Sequence, residues 1–467
     1  MKRLWLFALV VLATLTASAQ PAGPNLTRYR EEMLRHYRAL IQIDTSAPPG
    51  NETKAVEYLK RIIEAEGIAT KTFAVDPTRA NLVARIKGNG SKRPLLLMAH
   101  TDVVGVQREK WPVDPFGAVM KDGYVWGRGS VDDKPILAAN LMVFLILKRS
   151  GAVLDRDIIF FAESGEEGES QFGAEFMAKE HYDEIDAEFA LTEGGGARLE
   201  GDRVTSVTIE TTEKRPIPVR LVVNGISGHA SVPRVDNAVA HLAAAVGKVA
   251  AWETPMRLND TTRTYFEKLA TISTQDRAAR YNALMNPRTA AEAQRYLAIN
   301  EPSRYSMLRT SVVPTIIKGG FRTNVIPSEA EATIDIRALP DEDTAKFYEE
   351  LRKIVNDPAV RIEPTGFGAR PLAAPSRLDS DMYKALETAT KRLHPGAVMM
   401  PTMSTGATDM AFLRAKGMQC YGVGPASTDD DGANYGAHSD VERLRESSLY
   451  EFLDFLWVAT NEVAVRR

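Results

Sequence analysis

Apolar residues along this chain fall into two rhythms. Near the start, Met33, Tyr37, Leu40 and Ile41 recur at helical spacing, as do Val56, Leu59, Ile62 and Ile63 before Gly67, so two amphipathic helices are predicted. Continuous apolar runs follow: "NLVARI" from Asn81, "PLLLMAH" from Pro94, "DIIFFAES" from Asp157 and "AEFALTEGG" from Ala187. Runs apolar throughout suggest strands buried on both faces, as in an α/β layer. Between them, Lys134 to Gly151 reads as a buried helix. Polar residues of one chemical kind close these runs, at the strand ends where open α/β sheets bind ligands.

From Lys214 the rhythm changes. "IPVRLVVNG", "NAVAHLAAAVGKVAAW", "SVVPTIIKGG", "EAEATIDIRAL", "DEDTAKFYEELRKIVND" and "AVRIEPTG" read as βαββαβ, the ferredoxin-like split motif. Phe347, Leu351, Ile354 and Val355 form one stripe on its second helix. Residues 253–310 interrupt this unit with a polar, Arg-rich insertion containing helical pieces. After Phe367 the α/β pattern returns and ends in a long helix from "ESSLYEFLDFLWVATNEV". The expected organisation is an α/β domain in two segments, 25–213 and 368–467, interrupted by a smaller domain at 214–367.

At 467 residues the chain exceeds what one core sustains, which agrees with two domains. A net charge of -3 gives no electrostatic case for nucleic acid or an anionic membrane surface. The first residues differ: Lys2 and Arg3 precede an apolar run from Leu4 to Leu15, and Ala17-Ser18-Ala19 offers small residues for cleavage. A signal peptide over 1–19 is expected, hence an exported protein, periplasmic or secreted, with no stable membrane anchor after cleavage. Cys420 is the single cysteine, so no disulfide forms within a chain, and stability falls to the core and to bound metal.

Candidate chemistry gathers at the strand ends. His100 closes "LLLMAH", Asp132 follows the glycine turn in "GRGSVDDK", Glu166 and Glu167 lie in "SGEEG", Glu193 in "TEGGG", and His438 in "NYGAHSD". Any one acidic cluster reads as a solvated loop. Several at one sheet edge, joined by two histidines, repel one another unless a cation compensates them. Mixed His and carboxylate donors suit Zn²⁺ best, with Co²⁺ or Mn²⁺ as substitutes. "GRGSVDDKP" is no phosphate cradle, since G-x-x-x-x-G-K-[ST] is missing and paired aspartates repel phosphate.

"HTDVV", "GRGSVDDK", "SGEEG", "TEGGG", "SGHASVP", "TNVIP", "DIRALP" and "GAHSD", in this order, resemble the co-catalytic zinc exopeptidases of metallopeptidase family twenty. That family includes aminoacylases, glutamate carboxypeptidase, succinyl-diaminopimelate desuccinylase and peptidases T and V. The resemblance implies a phosphorylase/hydrolase-like catalytic domain with an inserted ferredoxin-like lid that serves dimerisation. It implies two zinc ions, with His100 and Glu193 on the first, Glu167 and His438 on the second, and Asp132 bridging. Glu166 becomes the general base, Asp102 the partner that orients the His100 imidazole, and His229 the oxyanion donor reaching over the site, often from a partner subunit. A cis peptide at Asp132-Asp133 is implied too. Asn324, Arg337, Thr405 and Gly406 match substrate-contacting positions. One departure is Ala411, where aminoacylase-like and desuccinylase-like members usually carry Arg; this leaves Arg337, helped by Arg414, as the carboxylate anchor.

The function expected is an exported dizinc amidohydrolase of carboxypeptidase or dipeptidase type, cleaving an amide next to a free carboxylate. The enzymic alternative is an N-acyl amino acid hydrolase, so the substrate is a small peptide or an N-acyl amino acid. The non-enzymic alternative is a binding protein that has lost catalysis. A homodimer through the lid is expected.

Overall fold

A computed structural model describes residues 25–366 and 368–466. The expected signal peptide lies outside the described residues, as does Phe367 at the expected domain junction.

The larger unit is built on a ten-stranded sheet. At its centre Ile158–Glu163, Leu95–His100, Phe189–Thr192 and Gln419–Gly422 run parallel as neighbours. Every residue of the first three is buried, which is why they read as unbroken apolar runs rather than alternating ones. Gln419–Gly422 comes from the second chain segment and pairs with Phe189–Thr192 from the first, so the two segments share one sheet. Helices Arg30–Ile41, Lys134–Ser150, Asp381–Leu393 and Glu446–Ala464 cover one face, and Ala174–Glu180 with Met410–Arg414 the other. Residues 134 to 147 are all buried, so the helix after the "GRGSVDDK" turn is gripped along its length and holds that turn rigidly at the sheet's edge.

The smaller unit follows the split motif. Its strands lie in the order Val360–Pro364, Val219–Asn224, Glu329–Ala338, Ser311–Gly319, that is fourth, first, third, second, all antiparallel. Helices Ala238–Ala250 and Thr344–Val355 pack on one face against Leu221, Ile334 and Ile336, each helix begun by a side-chain cap, Asn237 and Asp343 respectively. Ser311–Gly319 is the outer strand and leaves Val313, Ile316 and Ile317 exposed, with Phe321 83% exposed just beyond.

The insertion is more ordered than its polar composition suggests. Helices Asp260–Thr271, Gln275–Ala283, Ala290–Asn300 and Pro302–Ser306 bury a core of their own around Phe266, Tyr281 and Leu297. That core continues into Met400 and Met403 on Val398–Ser404, a strand that among the described residues pairs only with Arg203–Glu213 and so forms a sheet edge. The Lys268 ammonium donates to the Met399 carbonyl at 2.8 Å and the Thr261 and Thr211 hydroxyls meet at 2.8 Å. The insertion therefore covers an exposed edge of the large sheet.

Candidate metal centre and active site

Two turns hold the acidic residues in place. In the first, Gly129 has a φ of +85°, and a Cβ there would lie 2.9 Å from the Val103 side chain, so only glycine fits. The backbone of this turn is clasped by one buried carboxylate: Glu442 accepts the N–H groups of Gly129 at 3.2 Å, Val131 at 2.6 Å and Asp132 at 3.2 Å, and also pairs with Arg128. The buried Lys134 ammonium ties the turn to the Thr45 hydroxyl at 3.0 Å and to the Thr101 carbonyl. The Asp132–Asp133 peptide is cis.

In the second turn, Gly165 has a φ of +77° and a Cβ there would meet the Glu169 carbonyl oxygen at 2.4 Å. Asp102, fully buried, accepts the N–H of Glu166 at 3.2 Å and of Glu167 at 3.0 Å. The expected direct clamp on the imidazole differs in detail. His100 Nδ1 lies 3.0 Å from the Asp102 backbone carbonyl and 3.6 Å from its carboxylate. The carbonyl thus sets the ring's tautomer, while the carboxylate positions the two glutamates.

The side chains converge as two groups sharing one aspartate. His100 Nε2 faces Asp132 Oδ1 at 2.9 Å and Glu193 Oε2 at 3.9 Å. His438 Nε2 faces Asp132 Oδ2 at 3.2 Å and Glu167 Oε1 at 2.9 Å. Glu166 stands with His100 and Glu193, where one donor atom from each lies within 4.8 Å of the others. His438, a non-glycine residue at a φ of +65°, is held in the left-handed region by its loop.

The electrostatics of this cluster are strained. Burial, then Asp409, holds the Glu166 carboxyl well above its ordinary range, and burial, then Glu166, does the same to Glu193. Burial works against a charged His100, yet Asp102 and Asp132 carry its pKa well upward, and Asp132 with Glu167 raises His438 to about 10. Imidazoles drawn towards protonation by Asp102 and Asp132, next to Glu166 and Glu193 carboxyls that resist ionisation, are what a divalent cation resolves, because it takes neutral imidazoles and ionised carboxylates together. Hard oxygen and borderline nitrogen donors in two sets of three, with a carboxylate bidentate across both, fit a pair of first-row divalent ions.

The remaining expected site residues lie apart from this cluster. His229 sits exposed on the two-residue strand Gly228–His229, paired to Val325–Ile326. The Ser231 N–H donates to its Nδ1 at 3.2 Å, which leaves the ring proton on Nε2. Asn324 is exposed in the adjoining loop, where its carbonyl accepts from Ala230 N–H at 3.0 Å. Arg337, on Glu329–Ala338, is held by Asp335 at 2.8 and 3.2 Å. Thr405 and Gly406 occupy the loop after Val398–Ser404, with Gly406 N–H on Ser404 Oγ at 3.1 Å. Arg414 does not serve as the expected helper anchor: its side chain is buried, bonding Glu213 at 3.3 Å and the Cys420 carbonyl at 3.2 Å. Burial, with the Glu213 carboxylate already engaging it, removes it as a substrate anchor. Glu442 and Asp409, the latter buried and paired with Arg370 at 2.9 Å, were not picked out by sequence reasoning, since a lone acid in a loop carries no distinguishing signal.

A two-segment α/β domain carrying a split-motif lid, with paired His–carboxylate groups around one aspartate, defines a metal-dependent hydrolase. The chain belongs to the family described as peptidase family M20/M25/M40, whose profile matches residues 96–457. It is 31% identical over 340 residues to a probable carboxypeptidase S-like 2 of Dictyostelium discoideum, covering 70% of this chain and 64% of that one. It is 28% identical to the human N-fatty-acyl-amino acid synthase/hydrolase PM20D1, over 82% of this chain and 78% of the relative, and 26% identical to mouse aminoacylase-1, over 90% and 92%. In fold it is similar to the M20 family metallo-carboxypeptidase Sso-CP2 from Sulfolobus solfataricus, with a TM-score of 0.66 at 19% identity over 92% of this chain and 99% of that one.

Proposed function

We propose that the chain is an exported dizinc amidohydrolase that cleaves an amide bond next to a free carboxylate. The observation that carries this reading is Asp132, whose two carboxylate oxygens face two separate histidines, each completed by a different glutamate. His100, Asp132 and Glu193 would hold one ion and Asp132, Glu167 and His438 the other. What zinc supplies there when bound is a Lewis acid for the carbonyl and a water that ionises near neutral pH.

The chain's own residues do the rest. Glu166, beside a ligand and pushed towards a basic carboxylate by burial, accepts the proton of the attacking water and returns it to the leaving amine. His229, with its proton on Nε2, donates to the developing oxyanion once the lid closes or a partner subunit presents it. Arg337 grips the substrate carboxylate by exchanging its hold on Asp335, and Asn324 with the Thr405–Gly406 loop completes that end. The exposed apolar outer strand of the lid, Ser311–Gly319, supports a homodimer joined there.

Peptides and N-acyl amino acids both satisfy this site. The relatives named as an N-fatty-acyl-amino acid synthase/hydrolase and an aminoacylase, with a cavity of about 240 Å³ bordered by Asp132, favour the second class. The test is hydrolysis of a mixed panel of dipeptides and N-acyl amino acids by the mature protein, before and after chelation and with zinc restored. Chelator-sensitive, zinc-restored turnover of N-acyl amino acids is expected. Turnover that survives full metal removal contradicts the mechanism, and turnover of dipeptides alone overturns the choice of class.

A further inference from the structure

The two candidate metal sites are not supported alike. His100 closes a central strand and its side chain is 1% exposed, whereas the His438 side chain is 52% exposed and belongs to a loop. His438 therefore lacks the grip of a core, and whatever holds its loop decides how well the second site is formed before an ion arrives. Donors that wait in position bind more tightly than donors that must first be ordered.

The loop runs from Tyr435 to Arg443 and is closed at its base by those two residues. The Arg443 N–H donates to the Tyr435 carbonyl at 3.1 Å, and its guanidinium carbon lies 3.5 Å from the centre of the Tyr435 ring. Two more rings close on the same cation, Tyr124 at 4.1 Å and Trp126 at 4.9 Å. The strand pairing dictates this meeting: Tyr124–Trp126 runs antiparallel to Arg443–Arg445, with Arg443 opposite Trp126 and Arg445 opposite Tyr124. Alternation turns Val125 and Leu444 into the core and leaves Arg443, Trp126 and Tyr124 together on the other face. The Arg443 side chain is 15% exposed and donates to Asp431 at 3.2 Å, while its buried Nε has no hydrogen-bond partner among the described residues. Ring faces thus supply much of what holds the cation. Asp431 lies on the helix Asp429–Asn434, accepts the Thr428 hydroxyl at 2.8 Å, and offers its backbone carbonyl to the Tyr435 N–H at 2.9 Å. One guanidinium fastens the base of the loop and the helix that leads into it.

We infer that Arg443 is a positioning residue for the second metal ion: caged by Tyr124, Trp126 and Tyr435, it holds the His438 loop in its metal-binding shape and so sets the affinity of that site but not of the first. The inference rests on the dinuclear reading above. Its neighbour Glu442 has a different reach. Glu442 is anchored independently, by Arg128 and by the N–H groups of the turn that carries Asp132, which both ions share. Arg443 meets the loop and helix around His438, so its loss leaves His100, Asp132 and Glu193 in place.

The experiment is a zinc titration of the metal-free mature protein against a competing chelator, which reads each binding step without turnover. The wild type is expected to take up two zinc ions, and the step lost in His438→Ala identifies the second site. Arg443→Met and Tyr435→Leu are each expected to weaken that step about 10- to 100-fold, the range for groups that orient metal ligands, and to keep the other within about threefold. Tyr435→Phe keeps the ring face and is expected to keep both steps. The retained first step also reports that each variant is folded. Arg443→Met with both steps unchanged overturns the inference, and so do two steps weakened alike, which would make Arg443 a general support of the fold. A loss in Tyr435→Phe equal to that in Tyr435→Leu overturns the cage, since the hydroxyl and not the ring would then matter. A wild type that binds one zinc removes the dinuclear reading itself. If Arg443→Met does not fold, the Tyr435 pair decides by the same comparison.

Discussion

Glu166 and Glu167 are adjacent in sequence yet differ in what surrounds them. Glu167 Oε1 meets His438 at 2.9 Å, whereas Glu166 is half-buried, with its carboxyl pushed upward by burial and then by Asp409. Glu166→Gln is expected to lower kcat by 10²- to 10⁴-fold with bound metal unchanged, as read by steady-state kinetics beside metal analysis; a loss below tenfold removes it as the base. Glu442 holds three N–H groups of the turn that presents Asp132. Glu442→Gln places an amide among those donors, and a 10- to 100-fold loss in metal affinity or activity is expected, checked by titrating zinc against a competing chelator. The ligand candidates were legible because His and acidic residues recur at the ends of apolar strands. Glu442 was not, because it acts 310 positions away from the Asp132 N–H it accepts. Arg414 misled for a related reason: a basic residue near a substrate-contacting loop looks available until it is seen to close the short helix Met410–Arg414, buried and bonded to Glu213.

At the scale of elements, the crossing from Arg203–Glu213 into the lid is where the two units are tied. Glu213 accepts the Thr408 N–H at 2.6 Å on one side, and the buried Lys214 ammonium reaches Ser311 Oγ at 2.8 Å and Ser306 Oγ at 3.0 Å on the other. Burial, then Arg337, lowers the Lys214 pKa from 10.5 to about 7. Between those pH values the unfolded chain holds a proton that the folded chain has released, so stability rises with pH from about 7 towards 10. Chemical denaturation across that range is expected to show a slope of at most about 1.4 kcal/mol per pH unit that Lys214→Met lacks; equal slopes in both proteins would show that Lys214 stays charged. The βαββαβ sequence of the lid was readable because its strands and helices have opposite periodicities. The placing of the insertion against Val398–Ser404 was not, since Met400 and Met403 lie more than a hundred positions from Phe266 and Tyr281, and nothing local marks them as partners.

For the molecule as a whole, the α/β fold with an inserted lid was legible from the order of patterns and from the ordered motifs. Which strand of the lid becomes its edge was not, because strand order depends on pairings between distant segments. That edge leaves Ile316, Ile317 and Phe321 in solvent, and the homodimer proposed through it predicts that the wild type runs as a dimer and Ile317→Asp as a monomer in light scattering. If His229 is supplied across the dimer, activity falls with dimer content; a fully active monomer would mean that each lid serves its own site. Among the described residues no helix is long and apolar enough to cross a membrane.

The most direct test of the dinuclear reading is the metal stoichiometry of the purified protein beside that of Asp132→Ala. Two zinc ions per chain are expected in the wild type and fewer than one tightly bound in Asp132→Ala, because both groups lose the carboxylate they share. A single ion in the wild type, or two retained after loss of Asp132, would contradict it.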